Sequence, residues 1–398
     1  MPADPWLLDP AITMLNHGSF GACPRPILER QDRFREMMER RPVPFLVREM
    51  QPYLDESRRA LAQLLGGRPE NLVFVTNVTA AVNAVLRSLR FAPGDELLVT
   101  DHGYNACSNV VRYVAQREGA TVVTANVPVP VESPDQIIEA ILARLTDRTR
   151  LALLDHVTSP TGIVFPIEPL VRRLAERGVD TLVDGAHTPG MLPLDLDRLG
   201  AAYYGGNCHK WLCAPKGAGF LYVRPDRQEG LQPPIISHGF NQPRLGYTPL
   251  QDAFDWPGTD DFSPWLCVGE AIRFVSNLVP GGLPGLMRRN RELVIAARRM
   301  LCRRLGLQPA CSEALLGSMS AFLMPDVPAV TAVADPAAPV PLPRLGRVLS
   351  EQYALELPVY YWPAPPKVIL RISAQIYNEF AEYERLADAL AELLPAAG

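Results

Sequence analysis

The chain has 398 residues, of which 47% are hydrophobic and 21% are charged. This length leaves room for two or three domains, and the composition is typical of a globular protein, so a disordered chain, a collagen and a coiled coil are excluded. The net charge is −4, no apolar run reaches the ~18 residues of a membrane span, and the first residues do not resemble a secretory signal. We therefore expect a cytoplasmic protein with no nucleic-acid partner and no membrane partner.

Lysine is scarce in this sequence. Lys210, Lys216 and Lys367 are the three lysines, and the other 36 basic residues are arginines. Arginine does not replace lysine where a reactive amine is needed, so a lysine retained against this bias is a candidate for chemistry. The seven cysteines are scattered without a CxxC pair, which predicts neither a disulfide framework nor a metal site.

Short apolar runs alternate with helical patterns between residues 72 and 223. The apolar runs predict buried strands at 72–76, 96–100, 121–125, 150–154, 181–184, 202–205 and 219–223. Helical periodicity lies between several of them, at 79–89, 105–118, 134–145 and 167–177. Strands separated by helices of this length favour an α/β fold with a large, mainly parallel, seven-stranded sheet covered on both faces. In such sheets, ligands bind beyond the carboxyl ends of the strands.

The pattern changes after about residue 265. Two helical stretches, an apolar segment at 319–324, a strand candidate at 367–372 and a helix at 379–394 predict a smaller α+β domain. We therefore expect an N-terminal segment at 1–40 that packs with the small domain, a large domain at 41–265 and the small domain at 266–398.

Polar residues follow two neighbouring strands of the predicted sheet. Asp184 ends one strand, and the next strand leads into Gly-Gly-Asn-Cys-His-Lys-Trp, with Lys210 between His209 and Trp211. A lysine in these surroundings is partly desolvated, which lowers its pKa and lets its amine attack an aldehyde. The motifs GxxxxGK[ST], HExxH, GxSxG and GxGxxG are missing from the sequence, so a nucleotide loop, a zinc peptidase and a Ser/His/Asp hydrolase have no support.

Eight ordered motifs resemble those of fold-type I enzymes that depend on pyridoxal 5′-phosphate, in aminotransferase class V. The motifs are LNHGSFG from 15, TNVTAAVN from 76, DHGYNAC from 101, HVTSPTG from 156, DGAHTPG from 184, GGNCHKW from 205, GTDD from 258 and RIS from 371. Within that class, the sequence is most similar to the isopenicillin N epimerase-like branch, which also contains C–S lyases such as the hercynylcysteine sulfoxide lyases. The resemblance implies the cofactor more specifically than the reaction.

The resemblance implies three catalytic residues. Lys210 would hold the cofactor as a Schiff base and move the α-proton of the substrate. Asp184 would pair with the pyridine nitrogen and keep it protonated, so that the ring withdraws electrons. Tyr104 stands where the class places an aromatic ring over the cofactor, and its phenol offers a second acid or base.

Further positions would bind the cofactor. Val78 and Thr79 open a predicted helix, whose free N–H groups favour a phosphate, and the family pattern also places Asn207 and His209 on the phosphate. The resemblance also implies that His187 and Ser159 contact the phenolic oxygen of the cofactor. Across a homodimer interface, Thr259 would contact the phosphate of the cofactor in the neighbouring subunit.

The expected partner is a small-molecule amino-acid substrate. Arg371 occupies the family's carboxylate-binding position, where a bidentate guanidinium fixes the bond at Cα that is broken. Asn16 and His17 belong to the loop that contains the LNHGSFG motif, and this loop would close over the substrate.

The sequence leaves the reaction open. A persulfide-forming desulfurase of this class needs a loop cysteine before the carboxylate-binding arginine, and none occurs between residues 312 and 371. β-Elimination from a cysteine S-conjugate needs one base and a carboxylate clamp, so we expect a C–S lyase first. An epimerase needs a second acid–base group, for which Tyr104 or His17 is the candidate, and is the alternative. An aminotransferase, a decarboxylating oxidative deaminase and a cofactor-binding protein without activity have less support.

Overall fold

The computed structural model describes residues 5–334 and 342–394 of the chain. Its strands fall into one large sheet, one smaller sheet and one short pair. In chain order they are β1 Thr13–Met14, β2 Leu72–Val75, β3 Glu96–Thr100, β4 Thr121–Ala125, β5 Thr149–Asp155, β6 Asp180–Gly185, β7 Tyr203–Asn207, β8 Gly219–Val223, β9 Gln308–Pro309, β10 Met319–Leu323, β11 Leu355–Glu356, β12 Val359–Tyr361 and β13 Val368–Ser373.

The helices flank these sheets. In chain order they are α1 His17–Phe20, α2 Arg25–Arg40, α3 Pro42–Pro44, α4 Met50–Leu64, α5 Val78–Ser88, α6 Asn105–Glu118, α7 Pro134–Leu142, α8 Ile167–Ala175, α9 Leu196–Leu199, α10 Pro249–Asp255, α11 Ser263–Leu266, α12 Val268–Ser276, α13 Gly282–Leu305, α14 Pro328–Thr331, α15 Arg344–Tyr353 and α16 Phe380–Leu393. A π-helical turn, Phe45–Glu49, joins α3 to α4, and short 3₁₀ turns occupy Pro69–Asn71, Pro225–Arg227, His238–Phe240 and Glu313–Leu315. Within the described residues, no helix combines the length and the apolar character that crossing a bilayer requires.

The large sheet has seven strands in the order β2-β8-β7-β6-β5-β3-β4. All neighbouring pairs are parallel except the two that involve β8, which runs against both β2 and β7. The seven predicted strands are therefore confirmed, and so is the mainly parallel α/β class. The carboxyl ends of β5, β6 and β7 lie side by side, because Asp155 pairs with Asp184 and Asp184 pairs with Gly205 in register.

Both faces of the large sheet are buried, as a parallel sheet requires. Alternate residues of β2 belong to different hydrophobic clusters: Leu72 and Phe74 lie in one, and Val73 and Val75 lie in the other. One cluster includes α5 and α6, and the other includes α4, α7, α8 and α12. This two-sided burial explains why the strands are nearly continuous apolar runs in the sequence instead of alternating patterns.

The smaller sheet has four antiparallel strands in the order β12-β13-β10-β9. Residues of α13, α15 and α16 share a hydrophobic cluster with it. The N-terminal loop is joined to this region, because β1 pairs in parallel with β11 and the Ser373 N–H donates to the Leu15 carbonyl at 2.9 Å. A smaller α+β unit beside the large sheet is therefore present.

The packing crosses the expected boundaries at two places. Helix α2 lies against the large-sheet region, where Gln31 Nε2 donates to Ser263 Oγ at 3.1 Å and Phe34 packs on Tyr53. Helix α12 lies against α4, since the Gly269 N–H donates to Ser57 Oγ at 3.3 Å. The division at residues 40 and 265 stays a prediction, and these contacts show that both flanking helices also belong to the core of the large sheet.

Candidate active site

A cavity of about 400 Å³ opens at the carboxyl ends of β2, β5, β6 and β7. This is the edge where ligands bind in open parallel sheets. Three chain segments that follow strands line it, and together we name them the strand-end wall: residues 76–79, 184–187 and 207–210. Across from these segments in the fold stand Ser19 and Phe20 of α1 and Tyr360 of β12, so the cavity lies between the large sheet and the small-sheet region.

The Lys210 amine lies at the cavity wall. Its Nζ is 3.2 Å from Nε2 of His187, and burial lowers the Lys210 pKa to about 8. Burial also lowers the pKa of His187 well below its usual value, with a further contribution from the charge of Lys210. The imidazole is therefore neutral and accepts a hydrogen bond from the amine. This contact orients the Lys210 side chain, while burial brings the pKa of its amine close to neutral pH.

Gly21 lets the N-terminal loop approach the backbone of Lys210. Its φ is +70°, and a Cβ there would lie 2.2 Å from the His209 carbonyl oxygen and 2.9 Å from Lys210 Cα. A side chain is excluded both by this backbone conformation and by the contact. Gly21, the last residue of the LNHGSFG motif, thus allows the N-terminal loop to pack closely against the segment that contains Lys210.

Asp184 is buried beside the lysine, at the end of β6. Its Oδ1 accepts from the Ala186 N–H at 3.0 Å, and its Oδ2 accepts from the Cys107 thiol at 3.2 Å. Burial raises the pKa of this carboxyl. No ion pair within 4.0 Å is formed by Asp184 among the residues that the structure describes, so its carboxylate has room for one cationic partner from a ligand.

Helix α5 directs its N-terminus at the same cavity. The Asn77 side chain caps the helix by accepting from the Ala80 N–H at 3.0 Å, while the Val78 N–H donates to Asn207 Oδ1, also at 3.0 Å. Thr76 and Thr79 line the cavity next to these groups. A helix start of this kind attracts an anion through its N–H groups and its dipole, and the Thr79 hydroxyl adds a donor.

The structure brings eleven of the thirteen predicted site residues to this cavity or its immediate edge. Those that line it are Val78, Thr79, Tyr104, Ser159, Asp184, His187, Asn207, His209 and Lys210, while Asn16 and Arg371 lie directly behind Ser19 and Ser159. Tyr104 is 46% exposed and precedes α6, and partial burial raises the pKa of its phenol. Their placement agrees with the predicted roles, which remain predictions.

Arg371 is fully buried, and its partners are all neutral. Its Nη2 donates to Ser19 Oγ at 3.1 Å and to Asn16 Oδ1 at 3.4 Å, and its Nη1 donates to the Ser159 carbonyl. The Nε has no partner, and no carboxylate forms an ion pair with this guanidinium anywhere in residues 5–334 and 342–394. A buried cation without a counter-ion is costly, so this site favours an incoming carboxylate. We name Asn16, Ser19, Tyr360 and Arg371 the arginine side.

His17 and Thr259 are the two predicted residues that lie neither in the cavity wall nor at its immediate edge. The His17 ring is buried, and its Nε2 lies 3.0 Å from the Lys210 carbonyl oxygen, to which it donates because a carbonyl only accepts. Tyr377 Oη lies 2.9 Å from Nδ1, and burial lowers the His17 pKa to about 3. His17 thus supports the lysine segment from behind. Thr259 is exposed on the surface of the chain.

Several lining residues were missed in the sequence. Asp155 ends β5, pairs in register with Asp184 and faces the cavity, and the signal that would have found it is the one used for Asp184, an acid at the end of a predicted strand. Lys216 also lines the cavity, where its Nζ donates to the Gly21 carbonyl at 3.0 Å. Phe20 was not singled out although it lies in the LNHGSFG motif, and Tyr360 carried no signal, because its position depends on how the small-sheet region packs against the large sheet.

These residues fit pyridoxal 5′-phosphate, the cofactor that the motifs imply. The fit rests on three features. The wall holds an amine with a pKa of about 8, and beside it lies a buried carboxylate without a cationic partner within 4.0 Å. The capped N-terminus of α5, a helix of eleven residues, faces the same space. The His187 Nδ1 is also buried without a hydrogen-bond partner, which leaves a polar atom for a ligand oxygen. A cavity of about 400 Å³ falls in the range of small-molecule sites.

Comparisons with known proteins agree with this assignment. The family model of aminotransferase class-V matches residues 27–302. The isopenicillin N epimerase of Streptomyces clavuligerus is 40% identical, covering 96% of this chain and 95% of its own length. A protein of Arabidopsis thaliana named probable L-cysteine desulfhydrase, chloroplastic, is 33% identical over 96% of this chain and 83% of its own. A solved cystine C–S lyase in complex with cysteine persulfide has a TM-score of 0.83 at 23% identity, covering 96% and 98% of the two chains, and shares the fold.

Proposed function

Since the chain belongs to the aminotransferase class V family and is a pyridoxal 5′-phosphate enzyme acting at Cα of an amino acid, we propose that its reaction is β-elimination from an L-cysteine S-conjugate. The C–S bond of the substrate breaks, the sulfur leaves as a thiol, and water hydrolyses the remaining three-carbon enamine to pyruvate and ammonia. The observation that carries the proposal is the Lys210 amine, which combines a place in the cavity wall with a pKa of about 8.

The strand-end wall would hold the cofactor. Lys210 would bind its aldehyde carbon, Asp184 would bind its pyridine nitrogen, and the start of α5 with Asn207 and His209 would bind its phosphate. When bound, the cofactor withdraws electrons from Cα and so makes the adjacent bonds labile. The aromatic ring of Tyr104 would cover it, and His187 and Ser159 would contact its phenolic oxygen.

Lys210 would move the proton at Cα. With a pKa of about 8, its amine has an appreciable unprotonated fraction near neutral pH and returns a proton without a large driving force. The neutral imidazole of His187 at 3.2 Å holds Nζ in one orientation. The same Lys210 is able to deliver the proton to the leaving sulfur, so one base serves the whole elimination.

Arg371 would fix the orientation of the substrate. The α-carboxylate replaces the neutral oxygens of Ser19 and Asn16 around the guanidinium and supplies the missing counter-charge. Two hydrogen bonds from the guanidinium would fix the direction of the carboxylate. This restricts rotation at Cα and aligns the Cα–H bond for removal.

Other groups in the cavity are less suited to proton transfer at Cα. Burial lowers the pKa of His209 to about 4, and its Nδ1 lies 3.0 Å from the Ala218 carbonyl. The amine of Lys216 is held by the Gly21 carbonyl. Elimination requires no second base, and we therefore prefer it to epimerisation as the reaction.

Epimerisation is the second candidate, and two observations favour it. The relative that is 40% identical is named isopenicillin N epimerase, and the phenols of Tyr104 and Tyr360 both stand in the cavity wall. A phenol on the face away from Lys210 would return the proton with inverted configuration. Because the pKa of Tyr104 is raised, that phenol is protonated near neutral pH and would enter the reaction in its acid form.

We also propose a cytoplasmic homodimer. Thr259 is exposed within its GTDD turn and is free to reach the phosphate site of a second subunit. The seven cysteines all lie in the described residues and are unpaired, as expected in a reducing compartment. Sedimentation of the wild-type protein and of Thr259→Ala, with cofactor affinity measured on each, tests the contribution of the neighbouring subunit.

Incubation in deuterated water tests the reaction. Purified enzyme with its cofactor is given L-cysteine S-conjugates, and pyruvate, thiol and recovered amino acid are quantified by mass and chiral analysis. Elimination yields pyruvate and thiol in equal amounts. Recovery of Cα-deuterated D and L amino acid with an intact side chain, and no pyruvate, would reject the lyase and establish the epimerase.

A further inference from the structure

A second cavity, of about 540 Å³, adjoins the candidate active site and has no role in the reaction described so far. Its walls come from α1, from α15 and from the segment that contains β11 and β12. We propose that it is the subsite for the substrate's side chain, and that the enzyme acts on amino acids whose sulfur substituent is extended and has both apolar and polar parts. This inference rests on the proposed action at Cα of a cysteine S-conjugate.

The two cavities share a rim. Ser19, Phe20 and Tyr360 line both of them, so a ligand that passes between these side chains occupies both spaces. Phe20 is 71% exposed although it is a large apolar side chain. An exposed aromatic ring at the border of two cavities gains most from contact with a bound ligand.

The carboxylate site lies at the same border. Ser19 and Asn16, which hold the Arg371 guanidinium, are themselves part of the wall of the second cavity. A substrate whose α-carboxylate is bound at Arg371 therefore has its Cα between the two spaces. The reacting end reaches Lys210 in the first cavity, and a long substituent beyond Cβ extends into the second.

The lining of the second cavity mixes apolar and polar side chains. Phe20, Leu357 and Val359 are apolar. Helix α15 adds polar groups, since Ser350 is exposed and Arg347 Nε donates to Glu351 Oε1 at 2.9 Å. A substituent with both apolar and polar parts matches this lining, and one as small as a methyl group would not fill the space.

Bulk added on α15 tests the subsite. Ser350→Trp fills the cavity from α15, and Arg347→Trp does so from one turn earlier, in case the first variant folds poorly. Gln352→Trp is the matched control, because Gln352 is exposed on the same helix and is not part of the cavity wall. S-methyl-L-cysteine is the short probe and S-(carbamoylbenzyl)-L-cysteine is the long one.

We expect the wild-type enzyme to prefer the long probe by at least about tenfold in kcat/KM. Ser350→Trp or Arg347→Trp should remove that preference and leave the short probe and the Tm unchanged, and Gln352→Trp should preserve it. Equal values for both probes in the wild type would overturn the proposal, as would a long-probe preference that persists in both tryptophan variants.

The readout separates this inference from the reaction itself. Elimination and epimerisation both break the Cα–H bond, so the rate at which solvent deuterium enters the recovered amino acid or the pyruvate is measured for both probes. If neither probe exchanges, the affinity of each is taken from the change in cofactor absorbance on titration. Absence of pyruvate with a retained long-probe preference would contradict the lyase and support the subsite.

Discussion

The strand-end wall takes its side chains from segments that each follow one strand of a single sheet, whereas the arginine side joins Asn16 to Arg371 across 355 positions of sequence. The wall is held by hydrogen bonds to backbone groups, such as Ala186 N–H to Asp184 and Val78 N–H to Asn207. The arginine side is held by neutral side chains around one buried cation. The wall is thus a preformed binding surface, while the arginine side is completed by the substrate.

This difference predicts that the two regions fail in distinct ways. Substitutions in the strand-end wall should affect cofactor attachment and the chemical step. Substitutions in the arginine side should affect substrate binding and leave the cofactor in place. The following four predictions are chosen to test that division.

The largest effect is expected for Lys210→Ala. Lys210 is the amine that we propose to bind the cofactor covalently and to move the Cα proton, so its loss should lower kcat by roughly 10³-fold or more. Borohydride should no longer fix the cofactor to the protein, as judged by intact mass. Lys367→Ala is the control, because Lys367 is an exposed partner of Asp326 far from the cavity wall. If borohydride still fixed the cofactor fully to Lys210→Ala, the result would indicate that Lys216 is the attachment site.

Asp184→Asn should retain the cofactor and lose rate. A neutral amide does not keep the pyridine nitrogen protonated, and a loss of about 4 kcal/mol from the transition state is roughly a thousandfold in kcat. Asp180→Asn, at the opposite end of the same strand, serves as the matched control. Near-normal kcat in Asp184→Asn, with cofactor content unchanged, would show that this carboxylate only caps the turn that follows β6.

Arg371→Met should separate the two regions most clearly. We expect kcat/KM to fall about 100-fold, with most of the change in KM, because the α-carboxylate loses a charge-assisted, bidentate partner. Cofactor content should stay the same. Since the buried guanidinium has no counter-ion in the substrate-free chain, the free energy of unfolding should not decrease. A loss of bound cofactor in this variant would contradict the division.

The smallest effect concerns pH. Because the Lys210 pKa is lowered to about 8 and the reactive form is the free amine, the rate of covalent cofactor attachment to the cofactor-free protein should rise with pH. Between pH 7 and pH 9, the free-amine fraction increases about tenfold, and the rate should level off above that range. Stopped-flow absorbance measures it. A rate that keeps rising beyond pH 10 would indicate an unperturbed lysine.

Much of the fold was predictable because the large sheet is buried on both faces. Two-sided burial makes each strand a short, continuous apolar run, and all seven runs appear as strands in the structure. The first of the two helical stretches predicted after residue 265 corresponds to α12, Val268–Ser276, but the short helix α11 that precedes it, with a break at Cys267, was not predicted. That break follows from packing on α4, where Ser57 Oγ donates to the Leu266 carbonyl at 2.9 Å.

The sequence by itself determined the strand-end wall, because in a parallel sheet the residue after a buried strand is placed at the ligand-binding edge by the strand alone. Asp184, Asn207 and Lys210 could therefore be named from local pattern and motif. The tertiary structure decided that His17 lies behind Lys210, that Lys216 joins the cavity, and that Phe20 and Tyr360 separate two cavities. These positions depend on how the N-terminal loop and the small sheet pack against the large one, and such long-range packing leaves no periodic signal in the chain.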